Sequence, residues 1–339
     1  MPQLPAQPRT DSGHRYLRPQ DLRRLRHLFF APRRPVEGRY AGRHASTQRG
    51  HSVEFNDYRP YVPGDEISDI DWKVYGRSDR LFIKLFEHQA DMSVHLLIDA
   101  SASMAYRGLD YKPADTPLSA ESWLSQLPRV RTRRRATADP LANPSKYDYA
   151  CLLAAAIAFL LLRQQDKAGL TIAQTGLARF IPSQGSFTHL RQLLRTMEHT
   201  QPAGEANLAQ ALEQLARRAG RRSVLILFSD LYEPREPILR ALAAFAHRGN
   251  QAIVFHVLHA DEFHLPDLPQ AMFIDSETGQ RLRLNVAELR RTYQERLKQH
   301  LARWSAALLA RGIDHNVVST ATPYARVLER YLFRPARMR

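Results

Sequence analysis

Asp99, Ser101 and Ser103 stand at alternate positions just after the apolar run Val94-His95-Leu96-Leu97-Ile98. The run is short and apolar enough for a strand buried on both faces, and Asp99 falls at its carboxyl end. Ligands of open α/β sheets bind beyond such ends. If the loop that follows curls, one carboxylate and two hydroxyls can converge on a single point. Hard, weakly charged oxygen donors of this kind suit Mg²⁺ and leave the ion electrophilic. The plain alternative is a strand end with a Ser-rich turn.

A second segment carries the same pattern. Ser223 to Leu231 is another short apolar run, and Asp230 lies just past its end. Two buried parallel strands with acids at the same end hold like charges close together. That is costly unless a cation or protons intervene. Asp-x-Ser-x-Ser paired with a later strand-end acid resembles the metal-ion-dependent adhesion site of von Willebrand factor A domains. The resemblance implies that Ser101 and Ser103 bind the metal directly and that Asp99 and Asp230 act directly or through water. It also implies a threonine ligand from another loop. The matching segment is Gly204 to Leu212, and there the threonine position falls on Ala206, which offers no oxygen. Asn207 or a water is left to fill the gap, and Mg²⁺ retains waters readily.

These side chains need a frame, and the remaining pattern supplies one. Residues 145–163 read as a helix buried on most sides. Strands are expected at 169–174, 178–181, 223–228, 251–258 and 313–319. Helices are expected at 187–199, 207–218, 237–248, 286–310 and 324–332, with a hairpin of 272–275 and 281–284 around Gly279. Alternating strands and helices predict an α/β fold with a doubly wound, largely parallel sheet.

Ahead of this frame, residues 1–37 form a basic N-terminal segment. Leu22, Leu25, Leu28 and Phe29 recur there at helical spacing among arginines. Such a helix can lie on a membrane surface, though packing on its own domain is the simpler use. Residues 38–90 form a dense polar-aromatic block, read as β-rich. It contains Gly42-Arg43-His44-Ala45-Ser46, then Glu54, Tyr58, Arg59, Pro63, Gly64 and Asp65, and finally Ile70-Asp71-Trp72-Lys73. With Lys146, Asp148, Tyr149 and Ala150 following the serine loop, this order resembles domain-of-unknown-function family 58. The resemblance implies a von Willebrand A-like domain, here 91–335. It also implies association with a MoxR-type AAA+ ATPase, and through it a role in protein maturation or complex assembly. Residues 106–144 interrupt the order as an insertion. Arg129, Arg131, Arg133, Arg134 and Arg135 cluster within it as a candidate contact for an acidic partner.

Composition narrows the remaining choices. The chain has 339 residues, 44% of them hydrophobic, and a net charge of +15. That charge favours acidic partners, whether protein, nucleic acid or anionic membrane. No recognised nucleic-acid-reading motif accompanies it. The single cysteine, Cys151, excludes an intrachain disulfide and reads as a buried thiol. The N-terminus lacks a signal-peptide core, and the most apolar run, Ala150 to Leu162, falls short of the roughly 20 residues that span a bilayer. A cytoplasmic protein without a transmembrane segment is expected. No Gly-x-Ser-x-Gly elbow or Walker loop is present, and His95 and His256 fall inside strands rather than at their ends. A metal-dependent hydrolase built on Asp99 and Asp230 is the weaker alternative. The favoured expectation is a non-catalytic interaction or adaptor protein with Mg²⁺ at a degenerate adhesion-type site.

Overall fold

The computed structural model describes residues 14–18, 22, 24–25, 27–32, 54–61, 72–78, 80–87, 92–108, 141–174, 179–220, 222–265, 268–276 and 279–333. They fall into two compact units: Tyr40–Asp91, and Met1–Arg39 together with Met92–Arg339. In the smaller unit, β1 (Glu54–Pro60) pairs antiparallel with β2 (Phe82–Glu87). Helix α1 (Trp72–Ser78) lies between them in the chain.

The larger unit is built on β3 (Ser93–Asp99), β4 (Lys167–Ala173), β5 (Arg179–Gln184), β6 (Val224–Ser229), β7 (Gln251–Leu258) and β10 (Asp314–Ser319). Strands β8 (Gln270–Ile274) and β9 (Arg281–Asn285) form a separate hairpin. The main sheet has the order β10-β7-β6-β3-β4-β5. Every neighbouring pair is parallel except β4 with β5. The order reverses direction beside β3, so β3 and β6 are central and their carboxyl ends open on the same side. Gly169 admits β5 closely, because a Cβ there would lie 2.9 Å from the Ile181 carbonyl oxygen.

Successive side chains of a strand point to opposite faces, and that rule divides the interior into two cores. Val94, Leu96 and Ile98 of β3 join Val224, Ile226 and Phe228 of β6 in the first. Leu97 joins Leu225 and Leu227 in the second. The first core is covered by α2 (Lys146–Arg163), α3 (Phe187–His199) and α8 (Tyr324–Leu332). The second is covered by α4 (Leu208–Arg218), α5 (Arg235–Ala246) and α7 (Val286–Ala310). A four-residue helix, α6 (Ala260–Phe263), follows β7. Every residue of α2 except Phe159 and Arg163 is buried, which is why its apolar run lacks a polar face. Tyr16, Leu25, Leu28 and Phe30 are buried in the first core, so the described part of the N-terminal segment packs on the domain itself. No helix among the described residues is long and apolar enough to cross a membrane. Cys151 is free and buried, and burial pushes its thiol above the usual range.

Three histidines are enclosed on strands. Burial holds His95 and His315 down to about 4. His256 lies well below its usual value through burial, with His315 and His300 adding to the effect. In the unfolded chain such groups protonate near 6.5. Their contribution to stability is therefore full above about 6.5 and is lost as pH falls toward 4. The urea midpoint is expected to drop across that window. A His95→Phe variant, which fills the space beside Phe180 without titrating, is expected to show a shallower drop. Identical pH profiles for the two proteins would remove His95 from the account.

Candidate functional site

The strand ends are shaped by short polar turns. Beyond β3, the Ala100 amide donates to the Ala173 carbonyl at 2.8 Å, the Ala102 amide to Gly204 at 2.8 Å and the Ala203 amide to Ala100 at 3.0 Å. The chain is thereby clamped between β4 and the loop ahead of α4. The Ser101 amide donates to Asp99 Oδ1 at 2.9 Å, an Asx turn that curls the loop back over the strand. A 3₁₀ turn, Ala102–Ala105, follows and presents Ser103. Beyond β6, the Leu231 amide donates to Ser229 Oγ at 2.9 Å. Leu231 is buried with φ +54°. That backbone region costs a bulky residue about 1–3 kcal/mol. The strain sits at the residue following Asp230, where the chain turns out of the strand.

The side chains then form one continuous chain of hydrogen bonds. Ser229 Oγ donates to Asp99 Oδ2 at 2.6 Å. Ser103 Oγ donates to Asp230 Oδ2 at 2.7 Å, and the two serine hydroxyls lie 3.0 Å apart. Because the Ser103 hydrogen goes to Asp230, Ser101 is the donor between the hydroxyls. The Lys146 ammonium lies 2.7 Å from Asp230 Oδ2 and 2.7 Å from Glu262 Oε1. The Tyr232 hydroxyl donates to the same Glu262 oxygen, and its ring centroid is 5.0 Å from Lys146 Nζ. Lys146 is 1% exposed, and Asp99 and Asp230 are each 2% exposed.

Electrostatics follow from this enclosure. Burial, and then the charge of Asp230, push the Asp99 carboxyl up to about 6, against the hydrogen bonds from Ser229 and Ser101. Asp99 thus adds stability that is complete below its unfolded value near 3.8 and is lost as pH rises through about 6. Burial alone would lower Lys146, but the charges and hydrogen bonds of Asp230 and Glu262 outweigh it and hold the group above its usual range. Burial also raises the Tyr232 phenol.

Lys146 is placed by the start of α2. Ser145 caps the helix in a reciprocal capping box with Asp148. Asp148 also accepts from Tyr16 at 2.8 Å and pairs with Arg15 at 2.9 Å and Arg107 at 2.6 Å. A cation in the first turn opposes the helix dipole by about 0.3–1 kcal/mol. The two carboxylates in contact with the ammonium act against that cost.

The donor set does not fit a divalent ion. An ion on Asp230 Oδ2 at the usual Mg–O distance of about 2.0–2.1 Å would lie within about 4.8 Å of the ammonium, a repulsion of at least about 7 kcal/mol at an effective dielectric constant near 20. Ala206 is packed in the second core, and Asn207 spends its side-chain oxygen accepting from the Gln210 amide at 2.9 Å as the cap of α4. Neither replaces the missing threonine oxygen. Asp99, Ser101, Ser103 and Asp230, the residues expected to hold Mg²⁺, do converge, and the Lys146 ammonium stands among them. No group of three or more His, Cys, Asp or Glu among the described residues could hold a metal ion either.

Glu54, Tyr58 and Arg59 lie on β1, and Trp72 opens α1 with 59% of its surface exposed. Pro63, Gly64, Asp65 and Asp71 lie outside the described residues, as do Arg129, Arg131, Arg133, Arg134 and Arg135. Lys146, Ser229, Tyr232 and Glu262 were not foreseen as members of the crown. A lysine opening an otherwise apolar helix was the available signal for the first.

Beside the crown opens a cleft of about 820 Å³ between the β6–α5 loop and α7. Tyr232, Arg235, Tyr293, Arg296, His300 and Arg303 are among its lining residues. Arg296 and Arg303 have no ion-pair partner among the described residues, whereas Arg235 pairs with Glu236.

The strand order, with two central strand ends carrying the polar crown, defines a doubly wound α/β domain of von Willebrand A type. The chain belongs to the family described as protein of unknown function DUF58, whose sequence model matches residues 57–121 and 137–303. An uncharacterized protein of Mycobacterium bovis is 26% identical over 258 residues, covering 75% of this chain and 70% of that protein. Proteins of two Mycobacterium tuberculosis strains match to the same extent. Among solved structures, an aerotolerance-related membrane protein of Bacteroides fragilis is similar with a TM-score of 0.42 at 14% identity, over 72% of this chain and 98% of that one. BatB of Bacteroides thetaiotaomicron gives 0.41 at 14% identity, over 73% and 100%. The SpRpn10 VWA domain gives 0.38 at 10% identity, over 74% and 100%.

Removing the ammonium leaves two carboxylates facing each other's field without compensation. Lys146→Met is expected to lower unfolding free energy by about 3–5 kcal/mol in urea denaturation. Lys146→Met combined with Asp230→Asn is expected to lose less than the single variant, since the orphaned charge is gone. A single-variant loss under about 1 kcal/mol would mean that the pair is not formed in solution.

Proposed function

We propose that this chain is a non-catalytic recognition module that acts as an adaptor for a MoxR-type AAA+ ATPase in protein maturation or complex assembly. The observation that carries the reading is the contrast between crown and cleft. In the crown, hydroxyls and carboxylates are consumed by one another and by Lys146. Ser103 has given its hydrogen to Asp230, and no histidine among the described residues hydrogen-bonds to either serine. The acceptor of the Ser103 hydroxyl, Asp230, is itself held by Lys146, which weakens it as the base a nucleophile needs. The hydrolase alternative loses its metal by the same geometry.

The cleft, by contrast, offers unspent groups. Arg296 and Arg303 are exposed, face it from one helix, and stand beside Tyr232 and Tyr293. Aromatic and arginine side chains of this kind are the usual anchors of protein interfaces. An acidic segment of the ATPase is the complementary occupant. Glu233 and Glu236 also line the cleft, so an occupant with discrete, spaced carboxylates suits it better than a continuous phosphate backbone. The identity of the partner follows from the family resemblance of the signature block, and its chemistry from the charge of the cleft.

The test is capture of a purified MoxR-type ATPase from the same organism by the full chain. Wild type is expected to retain it, and Arg296→Glu with Arg303→Glu to weaken retention by about tenfold or more. Equal retention by the two proteins would remove the cleft, and no retention by wild type would remove the partner. Retention of random-sequence DNA instead, with steep salt dependence, would favour the nucleic-acid alternative.

A further inference from the structure

We propose that the Lys146 ammonium is the permanent cation of the strand-end crown, holding the charge-balancing place that a divalent ion takes in adhesion-type sites, so that the crown is complete without metal. Four independent observations converge on it. The ammonium touches two carboxylates at 2.7 Å each, and the Tyr232 ring lies alongside it. It is 1% exposed, so it has no solvent-facing position to share with an incoming ion. Each Asp99 oxygen already accepts a hydrogen bond, one from Ser229 Oγ and one from the Ser101 amide. The loop that should add an oxygen offers a buried alanine and a capping asparagine instead.

The chemistry of the two cations differs in a way that matters. A bound metal exchanges with solution, and its occupancy follows concentration and pH. A lysine on α2 is present whenever α2 is docked on β3. The crown is thereby made independent of metal supply and closed to a carboxylate from outside. Its second partner, Glu262, lies on α6 and accepts the Tyr232 hydroxyl. The ammonium thus joins the loops after β6 and β7 to the start of α2.

The experiment uses the intact wild-type chain. Mn²⁺ is titrated in while the free-ion electron paramagnetic resonance signal is followed. In parallel, lysines are acylated with and without excess Mg²⁺, and labelling is quantified by peptide mass spectrometry. The expected result is an undiminished free Mn²⁺ signal, with Lys146 labelled at least about tenfold more slowly than the exposed Lys298 whether or not Mg²⁺ is present. Loss of the free Mn²⁺ signal that Asp230→Ala restores would overturn the proposal. So would Mg²⁺ raising Lys146 labelling to the rate of Lys298, because a metal would then have expelled the ammonium. Neither readout involves a partner, so the outcome stands apart from the adaptor reading.

Discussion

The buried contact of Lys146 with Asp230 and Glu262 is the interaction on which the arrangement of this domain turns. Asp99 and Asp230 end adjacent central strands, a placement dictated by the parallel sheet. Two carboxylates there, each 2% exposed, cannot both remain charged without a nearby positive charge. One relief is protonation, toward which burial and the charge of Asp230 push Asp99. The other is a cation, and this chain carries its own. A fully buried ion pair gives uncertain net stability against an apolar substitute, but removal of one partner is severe. The contact therefore specifies how α2 meets β3 and β6 more than it adds to the hydrophobic energy of the two cores.

The first turn of α2 acts in two directions. Lys146 faces the crown, whereas Asp148 gathers Arg15, Tyr16 and Arg107. The N-terminal residues, the chain leaving the serine loop and the strand ends are all held by one helical turn. Ser145 anchors that turn through its cap. A group as desolvated as Asp148 requires several donors to stay favourable, and the two guanidiniums with the Tyr16 hydroxyl supply them. Displacement of the N-terminal segment would strip donors from Asp148 and loosen the same turn that presents Lys146.

Local pattern made much of this legible. Alternation in β3 and β6 set the two faces of the sheet, and the long apolar stretch of α2 announced an enclosed helix. The hairpin at β8 and β9 followed from its turn residues, and the stop of α7 from Gly312. The convergence of Asp99, Ser101, Ser103 and Asp230 was readable because strand ends in a parallel sheet share one edge. The lysine was not, because its partners are 84 and 116 residues away and only tertiary packing brings them together. Asn207 misled for a local reason. An Asn just ahead of an amphipathic helix is a cap before it is a ligand, and here it caps. The N-terminal residues carry an amphipathic pattern whose simpler use is packing on the domain, and Leu25, Leu28 and Phe30 are indeed buried in the core, while Phe29 is exposed.

An enclosed cation also bears on the recognition role proposed above. In an adhesion-type site the ion is the contact, because an open coordination position accepts a partner's carboxylate. With the ammonium enclosed and both its carboxylates in place, the crown presents no such position. A surface that carries arginines unpaired among the described residues is the adjoining cleft, which shares Tyr232 with the crown. Tyr232 is 47% exposed as a residue, yet its ring lies against Lys146 and its hydroxyl is bonded to Glu262. A ligand that pulled this ring into the cleft would remove one donor from Glu262 and the aromatic face from Lys146. The crown is then a fixed electrostatic contact, and the loop after β6, with its strained Leu231, is the segment that crown and cleft have in common.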